Sequence, residues 1–72
     1  MTAADAIKIA ARTARNAGYD LRHYRMPKVQ YSKSHGDHEW YIYYAGKGGP
    51  RGNHFDIWVD DKTGRARIFR GR

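Results

Sequence analysis

The chain predicts an α+β fold: an N-terminal helix packed on an antiparallel sheet of three or four strands, in the order helix, strand, strand, strand, strand. Three observations lead there. Apolar residues open the chain at helical spacing, and alternating β-forming stretches fill the rest. The last two of these flank Asp60-Asp61-Lys62-Thr63-Gly64. In that run Asp side chains bond nearby backbone N–H groups and glycine takes a positive φ without steric cost.

The helix is predicted over residues 3–17. Thr2 is a capping residue, and Asp5 stands three positions on, in the place of the capping-box acid. Ala3, Ile7, Ala10, Ala14 and Ala17 recur at intervals of four and three, with Ala6 and Ala11 widening the stripe and Gly18 placed to end it. A face so rich in alanine implies close approach to a sheet, with Ile7 as its main knob and Ile9 at the flank. Lys8, Arg12 and Arg15 fall together on the solvent side.

Residues 19–27 make a connection along the sheet edge, anchored by Tyr19, Leu21, Tyr24 and Met26; Pro27 pushes Met26 toward extended backbone. Residues 28–33 alternate as a first strand with Val29 and Tyr31 inward. Residues 34–37 (Ser-His-Gly-Asp) form a turn. Residues 38–45, with Trp40, Tyr41, Ile42, Tyr43 and Tyr44, form a second strand. A glycine-rich loop over 46–53 leads to a third strand over 54–60, and residues 65–70 return as a fourth.

Alternation sorts these residues onto two faces. Trp40, Ile42, Tyr44, Phe55, Ile57, Val59, Ala66 and Ile68 belong under the helix. Tyr41, Tyr43, His54, Asp56, Trp58, Arg65, Arg67 and Phe69 belong to the other face. That uncovered face carries more aromatic surface than a small monomer usually shows. Stacked bases, a protein partner, a second copy of the chain, or a fold-over of residues 19–27 or the C-terminus can cover it.

Seventy-two residues allow one domain, 1–72, near the lower size for a sufficient core. With no cysteine, disulfide scaffolds and thiolate metal sites are excluded. The first ten residues are interrupted by Asp5 and Lys8, so no signal peptide is read. No apolar run reaches membrane-spanning length, and the expected location is the cytoplasm. Fourteen Lys and Arg against seven Asp and Glu give +7, with +5 over residues 1–36, −3 over 37–61 and +5 over 62–72. Such a field attracts a polyanion or an acidic protein surface.

Motifs for chemistry are sparse. Gly46-Lys47-Gly48-Gly49-Pro50-Arg51-Gly52 is glycine-rich and basic but lacks the strand-to-helix context and the Ser/Thr of a nucleotide-binding loop. His38 and His54 should lie at opposite ends of a hairpin, which opposes a three-histidine metal site with His35. His35 and His38 with Asp37 or Glu39 can supply acid–base chemistry, as a small basic metal-independent ribonuclease requires. No serine or threonine stands in a nucleophile context.

The aromatic-rich Trp40-Tyr41-Ile42-Tyr43, the closing Phe55-Asp56-Ile57-Trp58-Val59-Asp60-Asp61-Lys62-Thr63-Gly64 and the opening helix with Ala6, Ile9 and Ala10 together resemble the PepSY and cystatin-like group of small α+β domains. The resemblance covers about two-thirds of the chain and implies a non-enzymatic binding or inhibitory domain, often exported; it carries over no functional residue.

The function expected from the residues is a non-enzymatic binding module for an anionic partner, nucleic acid first and an acidic protein surface second. No cofactor is called for. Tyr41, Tyr43, Trp58 and Phe69 would stack on bases, and Lys47, Arg51, Arg65, Arg67, Arg70 and Arg72 would neutralise phosphates. The alternatives are a PepSY-like or immunity-type protein-binding domain, a homodimer through the aromatic face, and the ribonuclease.

Overall fold

The opening helix begins where its cap predicts. In the computed structural model, which describes residues 1–33, 38–48 and 53–70, α1 spans Ala3–Asn16. The Asp5 amide donates to Thr2 Oγ1 at 3.1 Å and the Thr2 amide to Asp5 Oδ2 at 3.1 Å, the reciprocal bonds of a capping box. At the other end Gly18 takes φ 95°. Its amide donates to the Arg15 carbonyl, and the Tyr19 amide donates to that of Ala14, both at 3.0 Å. This Schellman ending satisfies carbonyls that the helix itself cannot.

Four strands follow: β1 (Lys28–Ser32), β2 (Glu39–Ala45), β3 (His54–Asp60) and β4 (Ala66–Arg70). They form one antiparallel sheet in the order β1-β2-β3-β4, so each strand pairs with its neighbour in sequence. The register sets Tyr41 opposite Gln30 on one side and Trp58 on the other, with Arg67 opposite Trp58. The β3–β4 turn closes as its residues predict. Asp60 Oδ1 accepts the amides of Lys62 at 2.8 Å and Thr63 at 2.9 Å, and Gly64 takes φ 73°.

The core lies between α1 and one face of the sheet. Ala6, Ala10 and Ala14 have no exposed surface, and neither have Ile42, Phe55, Ile57 and Val59. Burying each of the four larger side chains stabilises the fold by about 1.5–3 kcal/mol. The sorting of residues onto faces holds for the helix side, but the knob does not. Ile7 is only partly buried, and Ile9 is the isoleucine that packs against the core. The three alanines bring the helix axis so close to the sheet that longer side chains fit only beside the contact line.

Residues 19–27 run past one end of the sheet. A short 3-10 turn, η1 (Leu21–His23), leads into a single antiparallel bridge between Tyr24 and Gly46. Here the Arg25 amide donates to the Ala45 carbonyl at 2.8 Å and the Lys47 amide to that of His23 at 2.9 Å. A Cβ at Gly46 would collide with the Asn53 side chain, so glycine permits this close crossing. Tyr19 stacks on Phe55 at 4.0 Å between centroids, and Tyr24 meets the same ring edge-on at 4.9 Å. Met26, expected as an anchor, is 91% exposed. The segment finds its apolar partners in Tyr19, Leu21 and Tyr24 on the helix side, and the residue before Pro27 is extended away from them.

Candidate functional site

The open face is built by strand parity. β1 contributes Lys28, Gln30 and Ser32; β2 contributes Glu39, Tyr41, Tyr43 and Ala45; β3 contributes His54, Asp56, Trp58 and Asp60; β4 contributes Arg67 and Phe69. Residues 19–27 do not cover it, because their tyrosines pack on the helix side, and the chain through Arg70 is taken up by β4. The fold-over of residues 19–27 expected as one possible cover is therefore excluded; the last two residues lie outside the described ones.

Within this face the rings shelter one another. Tyr41 and Trp58 are cross-strand neighbours with centroids 4.8 Å apart and planes at 52°. Tyr43 lies 5.6 Å from the His54 ring. Tyr41, Tyr43 and Trp58 are half-buried although no element lies over them, and Phe69 is 46% exposed. Burial pushes the Tyr41 hydroxyl above its ordinary pKa, and the neighbouring Asp56 carboxylate adds to the shift. A groove lined by Lys28, Val29, Gln30, Tyr41 and Tyr43 runs along β1–β2, and an adjoining depression is lined by Gln30, Ser32, Tyr41 and Trp58.

The expected phosphate-neutralising residues do not form one set. Arg67 Nη2 is 2.8 Å from Glu39 Oε2, so its charge is already engaged on the face. Arg70 stands opposite Phe55, on the helix-side row. Arg65 precedes β4 at the far end of the sheet, in a depression shared with Glu39 and Asp60. Arg51 and Arg72 lie outside the described residues, as does His35. Lys47 sits at the opposite end, beside the Tyr24–Gly46 crossing, where β4 also ends at Arg70.

What the sequence reading missed is that the two ends of the sheet differ in charge, one basic and the other of mixed sign. Lys28, Arg25, Lys47 and Arg70 gather where β1 and β3 begin and β2 and β4 end, with Arg15 of the last helical turn near Tyr44. Asp20 is at the same end, but Arg22 grips it in a two-pronged pair at 2.8 and 3.0 Å. Asp56 stands one rung inside, opposite Tyr43. The other end mixes both signs: Asp5, Glu39, Asp60 and Asp61 stand there with Lys62, Arg65 and Arg67. Asp61 accepts from Trp40 Nε1 at 2.8 Å and from the Met1 ammonium at 3.2 Å, and these bonds hold its pKa below the ordinary carboxylate value. The bonds to turn amides do the same for Asp60.

The histidines are dispersed. His38 and His54 flank opposite ends of the β2–β3 hairpin, as expected. His38 Nδ1 is 2.7 Å from the Tyr31 hydroxyl, whereas Glu39 turns to Arg67 on the open face. The structure therefore does not join His38 and Glu39 into an acid–base pair. Among the described residues no three His, Asp or Glu side chains are grouped to hold a metal ion, and no helix is long and apolar enough to cross a membrane.

Comparison with known proteins finds no family model, no curated protein and no solved structure that matches this chain, so its function is argued from the geometry of the open face.

Proposed function

We propose that this protein is a non-enzymatic binding module that lays single-stranded nucleic acid across the open face of its sheet. The observation that carries the reading is the Tyr41–Trp58 pair. Two large rings lie side by side, half-exposed, on a face that neither the helix nor residues 19–27 cover. Bases of any identity stack on such rings, and loss of one ring costs about 1–3 kcal/mol per stacked base. A formal charge of +7 supplies long-range attraction for a phosphate backbone. The test is a titration of Trp fluorescence with short single-stranded oligonucleotides at low and moderate salt. Binding that weakens as salt rises, and that is weakened by about 1–3 kcal/mol in Tyr41→Ala, which keeps the Trp58 reporter, supports the reading. No binding at low salt, or salt-independent binding, sinks it.

A second reading has its own observation. On the open face Glu39, Asp56 and Asp60 alternate with Lys28, Arg67 and the three central rings. A face that mixes both charges with apolar rings also suits a protein partner or a second copy of the chain, the role that resemblance to PepSY and cystatin-like domains implies. Light scattering of the purified protein separates the two: a stable dimer that hides Trp58 leaves no platform for bases.

A further inference from the structure

We propose that the groove along β1–β2 is a nucleotide site, with Tyr41 and Tyr43 as the base platform, Gln30 as the base-reading group, and Lys28 and Arg25 as the phosphate contacts. The inference rests on the reading of the open face as a nucleic-acid surface and assigns it an entry point and a direction. Three observations carry it.

The first is shape. Lys28, Gln30, Tyr41 and Tyr43 line one groove, and Gln30 and Tyr41 also line the depression that reaches Trp58. The two recesses share Gln30 and Tyr41 and lie side by side between Tyr43 and Trp58, with rings on one side and the edge strand on the other. The second is chemistry. Gln30 is exposed, lies opposite Tyr41, and is the one primary amide on the described part of this face. An amide both donates and accepts, which suits the edge of a base that stacks beside it.

The third is charge. Lys28 is opposite Tyr43 at the groove mouth, and Arg25 is held at the same end by its amide bond to Ala45. Among the described residues neither side chain is paired with a carboxylate. The nearest acid on the face, Asp56, belongs to β3 and is separated from β1 by the whole of β2. A phosphate entering over the β1 edge therefore meets cations first. At the far end it would meet Glu39 and Asp60 together with Arg65, a depression of mixed sign in which Arg67 is already paired.

The experiment compares two double variants that remove the same charge from the two ends. Arg25→Ala/Lys28→Ala and Lys8→Ala/Lys62→Ala, the latter beside Asp5 and Asp60, are titrated with short oligouridine and oligoadenosine over a range of salt. Each single-strand phosphate contact contributes about 0.7 to the slope of log K against log salt. The first variant is expected to lower that slope by about 1.4 and the second to leave it unchanged. Gln30→Leu is expected to keep the slope and to reduce the ratio of the two affinities. Equal slope losses in the two double variants would overturn the placement while leaving the face a nucleic-acid surface. A ratio unchanged in Gln30→Leu would remove Gln30 from the site. Failure of the native protein to bind either oligonucleotide at low salt would overturn the reading of the face as well. All these positions are exposed, and an unchanged amide NMR spectrum verifies that each variant is folded.

Discussion

The two faces of the sheet are made from the same strands and both carry large aromatic rings, yet they end in different states. On the helix side Phe55 is sealed by Tyr19, Tyr24 and Tyr44, with centroids 4.0–4.9 Å away, and has no exposed surface. On the open side Trp58 has Tyr41 at 4.8 Å and no element above it. The difference lies in what the helix can reach. Its alanine face closes over one side only, and residues 19–27 add their rings to that same side. Aromatic content alone does not leave a face open; the absence of a second layer does.

The largest expected effect is on the sealed face. Ile57→Ala should destabilise the fold by about 2–5 kcal/mol, read by urea unfolding, because it leaves a cavity under the helix. A chain of 72 residues holds roughly 4–11 kcal/mol in all, so this variant should be close to unfolding. Trp58→Ala should cost much less stability and weaken oligonucleotide binding by about 1–3 kcal/mol, the contribution of one stacked base. Equal destabilisation by the two substitutions would mean that Trp58 is core, and the distinction between the faces would fail.

Next comes the contact line itself. Ala10 has no exposed surface, and Ala10→Leu should cost about 1–3 kcal/mol by lifting α1 from the sheet. A variant as stable as the parent would show that the helix does not sit as close as its alanines indicate.

The acid limb of stability should be carried by Asp5, Asp20, Asp60 and Asp61. Each has its pKa lowered in the folded chain: Asp5 by the Thr2 bonds, Asp20 by the Arg22 bonds, Asp60 by turn amides, and Asp61 by Trp40 and the Met1 ammonium. A group with a depressed folded value adds stability above its unfolded value, near 3.9 for aspartate, and loses it as pH falls through the folded value. The urea midpoint should therefore fall as pH drops below about 4, and Asp61→Asn should flatten part of that fall. A flat profile would contradict these bonds.

The smallest effect belongs to the open face's own ion pair. Arg67 is 62% exposed, so Arg67→Ala should change stability by less than about 1 kcal/mol. It should also free Glu39 to repel phosphate, so oligonucleotide affinity should drop without the lower salt slope that a lost phosphate contact gives.

Much of the fold was legible because it is local. Thr2 and Asp5 announce the capping box, Gly18 the helix end, and Asp60 to Gly64 the last turn; parity alone sorted Phe55, Ile57 and Val59 from Trp58. Residues 19–27 were legible only in part. Tyr19, Leu21 and Tyr24 do anchor, but whether Met26 joins them depends on a crossing at Gly46 that no short-range pattern encodes. The site was less legible still. The Arg67–Glu39 pair joins β4 to β2 across β3, and the position of Arg70 follows from register. The cluster of Arg15, Arg25, Lys28 and Lys47 comes from separate elements that meet only after folding. Charge sums along the chain describe stretches of sequence, whereas a ligand meets ends and faces.

The central claim is that the uncovered rings are the binding surface. An NMR titration with a short single-stranded oligonucleotide at two salt concentrations tests it most directly. Shifts should concentrate on Gln30, Tyr41, Tyr43 and the Trp58 indole and persist at the higher salt once saturated. Shifts scattered over lysines and arginines on both sides of the sheet, with the Trp58 indole unmoved, would contradict it.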